Sequence, residues 1–174
     1  MTAERRSLIN GIAVNLRNAL DISGDDFDFD IVKTVTGISG KTEYSDGLFH
    51  EEETVKTEDG GFIIKISKNS PEPRKRFSVA RELGHLFMHM KFGYDEWSLL
   101  KPYEKIFCVT GSHTDLVEEA NEFAAVFLMP EESFINIAKE TSDGKFFYPS
   151  KIAERFNVYE DAVIYRGKSL NLWK

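Results

Sequence analysis

A single cysteine, Cys108, stands in 174 residues, so no internal disulfide can form and no thiolate cluster can hold a structural zinc. Packing is the ordinary use of such a residue. No apolar run approaches the roughly 20 residues of a membrane span, and Glu4, Arg5 and Arg6 leave no room for a signal-peptide core. A cytoplasmic protein without membrane attachment is expected. Positive charge is also in deficit. The 22 basic and 29 acidic residues leave a net charge of −7, which argues against broad adhesion to DNA or anionic lipid. The small basic run Arg74-Lys75-Arg76 reads as a solvated helical first turn, with contact to an acidic partner as the alternative. Internal repeats and low-complexity tracts are missing. With 41% hydrophobic and 29% charged residues, the chain can bury a core and has the size of one compact domain or of one domain with a small appendage.

Periodicity then divides the chain. Leu8, Ile9, Ile12, Ala13, Leu16, Ala19 and Leu20 recur at three- and four-residue intervals, which predicts an amphipathic helix over residues 4–20. Asp25, Asp26 and Asp28 offer N-caps for a short helix over Phe29–Val35 that ends near Gly37. Between Gly37 and Gly61, turn residues separate the short stretches Lys41–Tyr44 and Leu48–Glu51, with Phe62–Ile66 following. Their composition predicts a small twisted sheet of three strands. The run Glu51-Glu52-Glu53 reads as a solvated edge or loop. Residues 92–114 keep no sustained period and are expected to form a loop, long enough to serve as a rim or lid. Asp115 caps a helix over Leu116–Leu128, and Pro130 starts another. Residues 149–174 suit two short helices in a helix-turn-helix-like pair, expected to be a packing appendage in preference to a DNA reader.

The chemistry concentrates in Phe77-Ser-Val-Ala-Arg-Glu-Leu-Gly-His-Leu-Phe-Met-His-Met90, a helix opened by Pro71 and Pro73 and expected to run to about Lys91. In the HExxH pattern two histidines one turn apart grip a zinc ion, and the glutamate after the first acts as general base on its bound water. Glu82 and His85 stand in register with that pattern, but Arg81 takes the first histidine's place. A guanidinium has no lone pair for a metal and stays charged at any working pH. At about 100° and 1.5 Å per residue, Arg81, His85 and His89 share one stripe of the helix. Gly84 in mid-helix costs about 1 kcal/mol against alanine, so a close approach there is expected. Taken alone, His89 reads as a helix-end histidine near the last carbonyls, and His50 and His113 as surface residues. A carboxylate from the acidic helix containing Glu118, Glu119 and Glu122 would supply the further ligand that a hydrolytic site requires.

Arg76-Phe-Ser-Val-Ala-Arg-Glu-Leu-Gly-His85, Glu119-Ala-Asn-Glu-Phe-Ala-Ala125 and Phe127-Leu-Met-Pro130, followed by Ile152-Ala-Glu-Arg-Phe-Asn-Val158, together resemble the ImmA/IrrE family of metallopeptidases in order and spacing over residues 25–172. The resemblance implies an α+β, zincin-like domain over residues 1–148, with a small twisted sheet beside the motif helix, and the C-terminal helices over 149–174 packed on it. It implies zinc as cofactor, Glu82 as catalytic base, His85 as second ligand and Glu119 as third, with His89 and Glu118 in reserve and Arg81 at the substituted position. Several members cut DNA-binding repressor proteins in stress responses and mobile elements, so a repressor or antitoxin partner is implied, while the acidic charge balance argues against direct nucleic-acid contact.

Three arrangements of the centre are open at this level. Arg81 pairs with Glu82 or Glu119 and replaces the metal, giving a pseudoenzyme. Zinc moves one turn up to His85, His89 and Glu119. Or zinc is held weakly by His85, Glu119 and solvent. Each expects hydrolysis to be lost or weakened, and a non-catalytic protein- or DNA-binding regulator is the alternative from another class.

Overall fold

The computed structural model describes residues 1–46, 51–109 and 115–173. Along the chain these form α1 (Ala3–Ala19), α2 (Ile31–Gly37), β1 (Gly40–Ser45), β2 (Glu51–Lys56), β3 (Phe62–Ser67), α3 (Glu72–Met88), α4 (Asp95–Leu99), β4 (Lys105–Val109), α5 (Asp115–Leu128), α6 (Glu131–Thr141), α7 (Pro149–Phe156) and α8 (Glu160–Ser169). The fold is α+β, with one small mixed sheet beside the motif helix α3 and helices around it, as expected of a zincin-like domain. None of the described helices is long and apolar enough to cross a membrane.

The sheet has strand order β1-β3-β2-β4, with β3 parallel to β1 and antiparallel to β2, and β4 antiparallel to β2. Among the described residues the sheet has four strands, with β4 added to the expected three. Phe62, Ile64 and Ile66 alternate along β3 and are buried, which follows from the two-residue period of a strand with one face on a core. The strand expected at Leu48–Glu51 falls largely outside the described residues, and β2 begins at Glu51. The acidic run is therefore neither edge nor loop: Glu52 lies on an interior strand and is 3% exposed.

Residues 92–114 also depart from the expected loop, since they hold α4 and β4. Lys56 ties this segment down by donating to the carbonyls of Trp97 (2.6 Å) and Leu100 (2.7 Å), and Trp97 Nε1 donates to the Gly60 carbonyl at 3.0 Å. A segment anchored by a buried lysine and an indole is part of the body, and its described portion does not form a free lid.

Helix α3 begins after Pro71, with Pro73 inside its first turn, where the missing N–H is one of the donors already left over. It ends sooner than expected, at Met88. His89 forms the C-cap, and Lys91 at φ 61° with Gly93 at φ 86° turns the chain away. α3 and α5 pack closely through Gly84, where an added Cβ would meet the Phe123 Cβ at 3.1 Å. That is the close approach which the mid-helix glycine required. At the other end of the chain, Asp30 caps α2 with bonds from Val32 N and Lys33 N, in place of the three earlier aspartates.

α1 lies along α5 with Ile9 and Ala13 fully buried, and Arg17 reaches across to the Phe127 carbonyl at 2.7 Å. α7 and α8 place Ile152, Phe156 and Val163 in the same contiguous core as Leu83, Phe123 and Phe127. Each such side chain contributes about 1.5–3 kcal/mol through burial.

Candidate active site

Arg81 and His85 share one face of α3, His89 at its C-cap continues the row, and Glu82 points beside them toward β2. The strand's alternation decides what they meet. Glu52 and Thr54 face α3, whereas Glu53 turns to the opposite side and takes Lys65 at 2.9 Å and Lys105 at 2.8 Å. Arg81 donates through Nη2 to Glu52 Oε2, and the Ser78 hydroxyl donates to Glu52 Oε1 at 2.6 Å. Both members of the pair are nearly dry, with side chains 9% and 5% exposed.

Arg81 was expected to pair with Glu82 or Glu119. Glu82 is its longer ion-pair partner, Glu52 takes its hydrogen bond, and Glu119 is not in contact with it. Arg81 Nε lies 3.7 Å from Glu82 Oε1, and among the described residues neither atom finds a hydrogen bond. Glu119 is occupied elsewhere. The physical reason is proximity: β2 lies directly against α3, so its inward-facing acid meets the guanidinium first.

Glu82 is fully buried and accepts from the Thr54 hydroxyl at 3.0 Å. Burial pushes its carboxyl up to about 7, against the opposing pull of Arg81 and Thr54. That value is suited to a general base near neutrality. His85 is driven the other way, down to about 3, first by burial and then by the neighbouring His89 and the Arg81 cation. His85 Nδ1 and His89 Nδ1 face each other at 2.8 Å, and His89 Nε2 lies 3.1 Å from Glu119 Oε2. Burial also lowers His89, with the Glu119 hydrogen bond acting in the opposite direction.

Glu119 receives Arg5 Nε and Arg5 Nη2 on its two oxygens, each at 2.6 Å. This bidentate grip is the main reason its carboxyl is held down at about 2, aided by His89 and opposed by burial. Glu118 stands apart, its side chain 50% exposed and 3.7 Å from the terminal ammonium of Met1. His50 and His113 lie outside the described residues, as does the side chain of Cys108.

A hydrolytic zinc site needs three protein lone pairs converging on one point, with a fourth position open. The described residues do not fit that requirement. Arg81 brings a cation and no lone pair to this face. His85, His89 and Glu119 are brought together, but as a hydrogen-bonded row whose atoms point at one another. Among the described residues no group of three or more His, Cys, Asp or Glu side chains is placed to hold a metal ion.

Glu52, Thr54, Ser78 and Arg5 were missed by sequence reasoning. Ser78 and Arg81 are three residues apart on one helix face, and a buried arginine needs a buried acid. That requirement was the available signal for Glu52. Arg5 carried no comparable signal, because its target lies 114 positions away.

The IrrE N-terminal-like domain model of peptidase family M78 matches residues 41–168, from β1 into α8. No curated protein gives a significant match. The family is zinc-dependent in general. With the motif helix, the α+β fold and a match over most of its length in agreement, this chain belongs to the IrrE N-terminal-like family of M78 peptidases.

Proposed function

We propose that this protein acts in the cytoplasm as a metal-independent recognition member of its family, binding a DNA-binding repressor or antitoxin protein, with peptide hydrolysis lost or severely weakened. The observation that carries the reading is the buried Arg81–Glu52 pair, seated on Ser78. A permanent cation held by a matched acid occupies the motif position and offers no lone pair to a metal, while Arg81 Nε and Glu82 Oε1 are left without a hydrogen bond among the described residues. Glu82 keeps the burial that tunes a base, yet tuning alone does not activate water. Partner recognition rests on the family resemblance, and the net charge of −7 favours a protein partner over direct contact with DNA.

The test is elemental analysis of the purified full chain, followed by incubation with helix-turn-helix repressor proteins. The expected result is zinc far below one equivalent, with repressors retained in a pull-down and left uncut. Stoichiometric zinc together with repressor cleavage would overturn the reading.

A further inference from the structure

Helix α1 lies before the family-matched residues 41–168, yet it reaches the centre. Its first turns place positive groups along the acidic face of α5: the Met1 ammonium near Glu118, Arg5 on Glu119, and Arg6 Nε 3.6 Å from Glu122 Oε2. Only Arg5 meets a residue in the row leading to His85. Its two parallel bonds at 2.6 Å leave each Glu119 oxygen with a charged donor, the geometry in which guanidinium holds carboxylate most firmly. The body of α1 cannot easily swing away, since Ile9 and Ala13 are fully buried and Arg17 is anchored on the Phe127 carbonyl.

We infer that the metal's charge is replaced at two points, by Arg81 within the motif and by Arg5 from α1, so that Arg5 sets the metal affinity of Glu119 and a histidine at position 81 alone does not reopen the centre. This rests on the metal-free reading above. It assigns to α1 a part in the chemistry of the site, as a positioning element acting through Glu119.

Zinc affinity of the full chain, measured by competition with a chromophoric chelator, compares Arg81→His with Arg81→His/Arg5→Gln. The control is Arg81→His/Arg6→Gln, which alters the neighbouring arginine on the same helix but faces Glu122. Releasing Glu119 is expected to tighten zinc by about tenfold or more, the scale on which partners of metal ligands act, while the Arg6 control changes little. The Co(II) complex of the Arg5 double variant should show the stronger visible absorption of a four-coordinate site. A merely structural Arg5 would lower the melting temperature without moving zinc affinity or the Co(II) spectrum. Equal affinities for the single and Arg5 double variants, or no zinc binding by either, would overturn the inference. Tight zinc binding by the unaltered chain, read in the same titration, would instead sink the metal-free reading. Should Arg81→His fail to fold because Glu52 is left without its cation, the same pair is compared in a Glu52→Gln background.

Discussion

Two arginine–glutamate pairs flank one row of site residues, and they differ chiefly in water. Arg81–Glu52 lies between α3 and β2 with side chains 9% and 5% exposed; Arg5–Glu119 joins α1 to α5 with side chains 40% and 12% exposed. The chemistry is the same, but solvent weakens attraction between charges and softens the penalty for separating them. The inner pair therefore bears on whether the domain folds, and the outer pair on what the centre can bind. A buried pair need not add net stability over an apolar replacement, but losing half of it is severe.

A double-mutant cycle breaks or sharpens this contrast most directly. Arg81→Met leaves the Glu52 carboxylate buried with Ser78 as its remaining hydrogen-bond donor among the described residues, and should destabilise the protein by about 3–5 kcal/mol in urea unfolding. Glu52→Met should be somewhat less costly, because Glu82 lies 3.7 Å from Arg81 Nε and can partly take over. The double variant should recover most of the loss. A cost below about 1 kcal/mol for Arg81→Met would place the inner pair in the class of exposed ion pairs, and the contrast would disappear.

Protonation of Glu82 gives a second, smaller effect within the dry half. Its folded value of about 7 lies above the ordinary carboxylate value, so between roughly pH 4.5 and 7 the folded state keeps a proton that the unfolded chain has released. Stability from this group is fully present at the acid end and is lost as pH rises toward about 7. At 1.36 kcal/mol per unit, Glu82→Gln should gain up to about 3 kcal/mol relative to the parent across that window. His85, held down at about 3, works in the opposite sense, with stability lost as pH falls below about 6.5. Its contribution is common to both proteins and largely cancels in their difference. Parallel stability curves for parent and variant would mean that water reaches Glu82.

These two halves were not equally legible in the sequence. The motif helix, its Arg81–His85–His89 stripe and the need for a close approach at Gly84 follow from helical geometry, and the apolar period of α5 placed Glu119 on a neighbouring helix. Glu52 was hidden because three consecutive glutamates read as solvated. Only strand register shows that Glu53 turns outward to two lysines while Glu52 and Thr54 turn inward. The segment containing β4 reads as loop in the sequence because a five-residue strand is stabilised by its pairing with β2, a non-local contact that no local period announces. Arg5 lay in an evidently amphipathic helix, but which acid it would meet depended on how α1 docks.

The outer pair should show the smallest effect on folding, and its salt dependence is the sharpest way to tell it from the inner one. Arg5→Gln should destabilise the protein by less than about 1 kcal/mol, as expected for a pair with one side chain 40% exposed. In 1 M NaCl, where the screening length falls to about 3 Å, that loss should shrink toward zero, while the cost of Arg81→Met should persist because ions do not penetrate between α3 and β2. Urea unfolding of the two variants at low and high salt tests both statements together. A cost for Arg5→Gln that survives 1 M NaCl would show that Glu119 is enclosed as tightly as Glu52, and α1 would then belong to the stability of the domain as much as to the chemistry of its centre.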